Sequence, residues 1–219
     1  MSWLKPSKRK VPEPPAVFPP MNCVILQPSY IPWRGYFHQV QKADVFVFYD
    51  DLQYDERGWR NRNQIKGPQG LQWLTVPVLT IGARTEQRTI KEIKIVPNDR
   101  WREKHWRAIH HNYHAAPFYE TYRAELEKFY QRDYEFLADF TIDLTVHLAR
   151  LLGLQTRFLR SSTLPSQGRK TDRLLGILHH LGATHYITGP AAKAYLEEDK
   201  LAQHNISLEY MSYQYPVYP

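Results

Sequence analysis

Residues 23–66 read CVILQPSYIPWRGYFHQVQKADVFVFYDDLQYDERGWRNRNQIK, and this stretch decides the fold. A short apolar run, Cys23 to Leu26, ends at Gln27-Pro28. A second, Val45 to Tyr49, ends in Asp50 and Asp51. Continuous apolar runs bounded by turn residues read as strands buried on both faces. The segment between them has room for one helix, Trp33 to Lys42, with Pro32 near its start, where proline is tolerated. The spacing predicts a β-α-β unit. In an open α/β sheet, ligands bind beyond the carboxyl ends of the strands. Both runs therefore deliver polar side chains to that edge.

Working outward, Trp59–Lys66 and Leu71–Val78 flank Gly67-Pro-Gln-Gly70 and read as a β-hairpin. Thr89–Val96 alternates between apolar and polar and is expected to be a half-exposed strand. Residues 100–152 carry apolar residues at helical spacing, broken at Ala115-Ala-Pro117 and stopped by Gly153, and read as a helical insertion. The last third alternates again. It gives strands at Thr156–Leu159, Tyr186–Thr188 and Ser207–Tyr210, with helices at Thr171–Leu181 and Ala191–Glu197. The fold class that follows is α/β: a mostly parallel sheet with flanking helices, a β-hairpin excursion and a helical insertion. Residues 1–20 hold six prolines and a basic cluster, and read as a disordered tail before one domain at 21–219.

The formal net charge is +7, which favours anionic partners. The lone cysteine, Cys23, can form no intrachain disulfide, and its place in an apolar run suits packing. No apolar run approaches the roughly 18 residues of a membrane span, and the basic, proline-rich start has no signal-peptide core. A cytoplasmic location is the expectation.

Candidate chemistry gathers at the strand ends. Gln27, Asp50, Asp51, Ser161, Ser162 and Gly189 all follow apolar runs and share one edge if the strands are parallel. The same residue types also favour ordinary turns. Tyr30-Ile-Pro-Trp33-Arg-Gly35-Tyr36 brings an aromatic loop to a helix start, where glycine lets a ligand approach and free N–H groups favour an anion. Arg60-Asn61-Arg62-Asn63 and Lys66 bring forked donors. On a strand, Arg60 and Arg62 would share one face and Asn61 and Asn63 the other. Those arginines could equally pair with Asp50, Asp51, Asp55 or Glu56. His110 and His114 stand four apart on a helix, but no third ligand accompanies them, and no metal is expected. Gln167-Gly-Arg-Lys170, leading to Arg173, could close over a phosphate but lacks the P-loop pattern. Dinucleotide, nucleophile-elbow and zinc motifs are absent from the sequence.

Several of these motifs together resemble the WbqC-like proteins of bacteria. The residues that carry the resemblance are Gln27-Pro28, YIPWRGYF at 30–37, ADVFVFYDDLQY at 43–54 and GWRNRNQIK at 58–66. It continues through WLTVPV at 73–78, Ser161-Ser162 and YITG at 186–189. The resemblance implies a place among genes for O-antigen and other surface glycans, and acyl or aminoacyl transfer or aminosugar modification. The chemistry of the residues then assigns roles. Asp50 or Asp51 would be the general base or hold an ammonium group, and Arg60, Arg62 and Lys66 would clamp a phosphate or carboxylate. Gln27, Ser161 and Ser162 would orient polar groups, and Tyr30, Trp33 and Tyr36 would form a wall. The expected partner is an anionic small molecule, such as a nucleotide-sugar or acyl carrier. The strand–loop–helix order also resembles nucleotidyltransferases with a HIGH motif, but Tyr36 stands where a histidine belongs. A nucleic-acid-binding protein or a scaffold is the non-enzymatic alternative. The acidic residues at the strand ends disfavour a nucleic-acid backbone there.

Overall fold

The computed structural model describes residues 20–97 and 100–216. Among these, five strands form one parallel sheet: β1 (Asn22–Leu26), β2 (Val45–Phe48), β5 (Arg157–Arg160), β6 (His185–Thr188) and β7 (Ser207–Tyr210). Their order is β5-β2-β1-β6-β7. Cys23 pairs with Val45 on one side of β1 and with Tyr186 on the other. All four residues of β2 are buried, because both sheet faces are covered.

Helix α1 (Arg34–Lys42) joins β1 to β2, and α5 (Lys170–Leu181) joins β5 to β6. They lie on opposite faces. Tyr36 and Val40 of α1 pack with Val24, Phe46 and Phe48. Leu174, Leu175, Ile177 and Leu178 of α5 pack with Cys23, Ile25, Val45 and Val47. This division follows from alternation along the strands. Each fully buried side chain of this size contributes about 1.5–3 kcal/mol. The chain therefore leaves β1 toward β2 over one face, and reaches β6, on β1's other side, over the opposite face. The gap between the carboxyl ends of β1 and β6 is the topological switch point, where doubly wound sheets open a crevice.

The hairpin of β3 (Arg62–Gly67) and β4 (Gly70–Thr75) stands apart as its own two-stranded sheet. Ile65 and Leu74 bury its inner face, and it rests on α2 (Trp101–Tyr113) through the Tyr113 hydroxyl, which accepts from the Lys66 N–H at 3.0 Å. With α3 (Tyr119–Gln131) and α4 (Leu137–Leu151), α2 makes up the expected helical segment. Gly153, at φ 75°, and Gly182, at φ 68°, stop α4 and α5 in the left-handed conformation that glycine takes without strain.

Two expectations need correction. Residues 89–96 are not a strand. Ile90–Glu92 form a 3-10 turn with a Thr89–Glu92 capping box, followed by single bridges at Lys94 and Ile95. Ile90 and Ile93 are both buried, and a spacing of three fits a 3-10 turn, whereas strand alternation would break there. The helix expected at Ala191–Glu197 is instead a 3-10 segment, Pro190–Ala194, followed by a separate α6 (Glu198–Gln203). The acidic run Glu197-Glu198-Asp199 suits the positive start of a helix better than its end. Of the expected tail at 1–20, only Pro20 falls within the described residues.

Candidate functional site

A cavity of about 660 Å³ opens at the switch point. Leu26 and Ser29 bring the end of β1 to it, and Gly189 through Ala191 the end of β6. Its walls are aromatic. Trp33 and Trp59, each about half exposed, stand at the mouth, while Tyr36 is buried. The Tyr36 hydroxyl donates to the Gln27 carbonyl oxygen at 3.2 Å, and burial pushes that phenol well above its ordinary range. Gly35 sits under the Trp33 ring, where any Cβ would collide with the indole.

Of the described residues lining this cavity, Arg60 alone is charged. Its Nη1 donates to the Pro28 carbonyl oxygen at 3.2 Å. Its Nε is buried with no hydrogen-bond partner. Burial lowers the pKa of this guanidinium, and Tyr36 and Asp55 partly offset that. No carboxylate among the described residues forms an ion pair with it. Asn63 lines the cavity beside Arg60 but is fully committed. Its amide donates to the carbonyl oxygens of Tyr30 and Ile31, at 3.2 and 2.7 Å, and its oxygen accepts from the Gln64 N–H. It thereby holds Ile31, which sits at a φ of 42°.

The remaining wall comes from α1 and the last described residues. Gln39, 3% exposed, donates from Nε2 to the Tyr213 hydroxyl at 3.0 Å, while its Oε1 has no partner. Tyr213 packs edge-on against Trp33, and burial pushes its phenol up to about 12. The following residues strap across the start of α1. His38 Nδ1 contacts the Tyr215 hydroxyl at 3.0 Å, and Arg34 donates to the Pro216 carbonyl oxygen and stacks on the Tyr215 ring.

The other expected site residues lie elsewhere. Asp50 is fully buried. Its carboxylate accepts from the Ser162 N–H at 3.1 Å and from the Ser162 hydroxyl at 2.9 Å, and lies 3.2 Å from Ser161 Oγ. Arg160 Nε lies 3.0 Å away as a charge contact. Asp51 accepts from Ser161 Oγ at 2.5 Å and from Arg173. These residues clasp the end of β2 to the end of β5. A general base needs a face open to substrate, and Asp50 has none; Asp51 keeps 14% of its side chain exposed. Arg173, which follows the basic loop at 167–170, is held by Asp51.

Tyr30 is not a wall but core. Its hydroxyl meets His105 Nδ1 and the Tyr130 hydroxyl, each at 2.9 Å. Of Arg60 and Arg62, only Arg60 lines the cavity. The ladder begins at Arg62, and the carbonyls of Trp59 and Arg60 are pinned to the Tyr30 N–H, so period-2 alternation does not reach back to Arg60. Arg62 lies over Trp73, Lys66 is exposed on the hairpin, and Asn61 is buried against the Val76 carbonyl. Gln27 contributes its backbone. Sequence reasoning missed Ser29, Gln39, Trp59 and Tyr213. Gln39 carried a signal, since it is polar yet shares the buried face of α1 with Tyr36 and Val40. Tyr213 carried none. Among the described residues no group of three or more His, Cys, Asp or Glu is arranged to hold a metal ion, and no helix is long and apolar enough to cross a membrane.

Comparison with known proteins agrees with the motifs read above. The uncharacterized protein Rv1507c of Mycobacterium tuberculosis is 38% identical over 190 residues, which cover 86% of this chain and 81% of that protein. No solved structure matches. The WbqC-like protein family model matches residues 27–219, so it spans the switch-point cavity, the clasp and the strap together. The chain thus belongs to the WbqC-like protein family.

Proposed function

We propose that this chain is an enzyme of surface-glycan or related biosynthesis. It transfers or ligates an acyl or aminoacyl group to the amine of an aminosugar or amino acid, and binds an anionic small molecule in the switch-point cavity. The observation that carries the binding is Arg60, a buried guanidinium that no carboxylate among the described residues meets in an ion pair, in an aromatic pocket. A charge buried without a partner is costly, and an anionic ligand removes that cost. The lining contains no carboxylate, histidine or thiol among the described residues, so the cavity works by holding and orienting its reactants. In the transfer, the amine attacks the acyl carbonyl, the C–N bond forms, the bond to the leaving group breaks, and the amine loses a proton. Asp51 is paired with Arg173 outside the cavity, so the proton passes to solvent.

The test is direct. Purified protein is incubated with an aminosugar and each donor class in turn: acyl thioester, acyl adenylate, or free acid with ATP. Amide product is read by mass spectrometry. The expected result is one productive donor class, with product lost in Arg60→Ala while the fold survives. If no donor class gives an amide, although the cavity binds an anion, the transfer reading fails.

A further inference from the structure

The cavity's charge and shape narrow its ligand further. We propose that it takes a singly charged carboxylate borne on a compact ring, with the carboxylate on Arg60 and the ring against the indoles of Trp33 and Trp59. This rests on the anion-pocket reading above and specifies its substrate class.

Charge balance is the first argument. Arg60 is the one charged side chain among the described lining residues, and the walls around it are mostly carbon. A phosphate monoester carries about −1.5 to −2 at pH 7. Set against a single guanidinium, it would leave net negative charge in a poorly solvated cavity, at a substantial cost. The start of α1 adds a partial positive charge of roughly one half, too little to balance a second full charge. A carboxylate carries the smaller charge and suits a single guanidinium that Asp55 already partly offsets.

Donor geometry is the second. Nη1 is committed to Pro28, while Nε and Nη2 make no hydrogen bond among the described residues. Two adjacent donors of a planar fork match the two oxygens of a carboxylate. Gln39 Oε1, buried and unpartnered, adds one acceptor for a hydroxyl or N–H on the ligand body.

Shape is the third. Trp33 and Trp59 present half-exposed indoles at the mouth, and Tyr36 and Tyr213 line the wall behind. Flat aromatic surfaces suit the apolar face of a ring, whether a sugar or an aromatic one. A volume of about 660 Å³ lies within the usual range for small-molecule sites.

The experiment is a set of titrations on the full chain, read by calorimetry and tryptophan fluorescence. The probes are benzoate and glucuronate, their uncharged counterparts benzyl alcohol and glucose, and UMP and UDP-glucose. The proposal expects at least one carboxylate to bind tenfold or more tighter than its uncharged counterpart and than both nucleotides. That binding should fall tenfold or more in Arg60→Ala, and also in Arg60→Lys, which keeps the charge and loses the fork. Benzoate or glucuronate as the preferred probe identifies an aromatic or a sugar acid, and either supports the proposal. Tighter, Arg60-dependent binding of UMP or UDP-glucose overturns the carboxylate and leaves the anion pocket standing. Equal binding of the uncharged probes overturns the charge argument. Binding of no probe, or binding indifferent to Arg60, overturns both readings. If Arg60→Ala fails to fold, the wild-type ranking and Arg60→Lys decide.

Discussion

Replacing Asp50 separates a structural clasp from a catalyst. Its carboxylate is wholly buried and accepts two hydrogen bonds, both from Ser162, with Ser161 Oγ at 3.2 Å and Arg160 Nε at 3.0 Å. In Asp50→Ala, the Ser162 N–H loses its acceptor and Arg160 keeps only Asp139. Removing one member of a buried charged pair costs about 3–5 kcal/mol. A third of the Arg160 side chain remains exposed, and water recovers part of that loss. The lower end, about 3 kcal/mol, is therefore expected. At about 2–4 °C per kcal/mol for a chain of this size, the melting temperature should fall by about 6–12 °C. Asp50→Asn keeps the shape but turns an acceptor into a donor facing Arg160, and should lose about 1.5–3 kcal/mol. Urea denaturation followed by circular dichroism measures both. Anion binding by the protein still folded should match the parent, because Asp50 does not line the cavity. The reasoning fails if both variants melt within about 1 kcal/mol of the parent while amide formation disappears.

Three further outcomes can be checked. Tyr213→Phe takes away the acceptor of Gln39 Nε2 and leaves a buried amide unpartnered; it should lower stability by about 1–3 kcal/mol and weaken anion binding, and an unchanged melt would argue against that wall. Tyr30→Phe breaks the hydroxyl link between His105 and Tyr130, at a similar cost of about 1–3 kcal/mol. It should leave ligand affinity intact, whereas lost affinity at full stability would return Tyr30 to the pocket. Burial pushes the Cys23 thiol from 9.0 to about 12, so the fold favours the neutral form. Its contribution is complete below pH about 9 and is lost as the pH rises toward 12. At pH 8, a thiol reagent should label Cys23 only after urea unfolding; rapid labelling of the folded protein would show the strand open.

Much of the sheet was legible because parallel strands buried on both faces leave continuous apolar runs, and those runs end where the polar residues begin. Of the residues that the carboxyl-edge rule and the helix-start loop brought forward, Gly189, Trp33 and Tyr36 line the cavity and Tyr30 does not. It could not show which strand ends separate. That depends on α1 and α5 crossing opposite faces, a relation between segments more than a hundred residues apart. Asp50-Asp51 and Ser161-Ser162 look the same in sequence whether they meet a substrate or each other. That Arg60 lines the cavity and Arg62 does not was hidden because alternation assumes the strand has already begun. Tyr213 reaches Gln39 from 174 residues away, with no local pattern to mark it.

The strap at residues 211–216 gives the pocket a timetable. Its bonds to α1 span 174 to 182 residues, nearly the whole described chain. A ribosome delivers β1, α1 and Arg60 well before the closing tyrosines. Until then Trp33 and Gln39 stand uncovered on a half-built sheet. Contacts of such separation form late, after loop-closure entropy has been overcome. A ligand that bridges Arg60 and the strap binds only the closed form, and so draws newly made chains toward it by mass action. For such a ligand, its concentration during synthesis would bear on how much of the chain reaches the closed form.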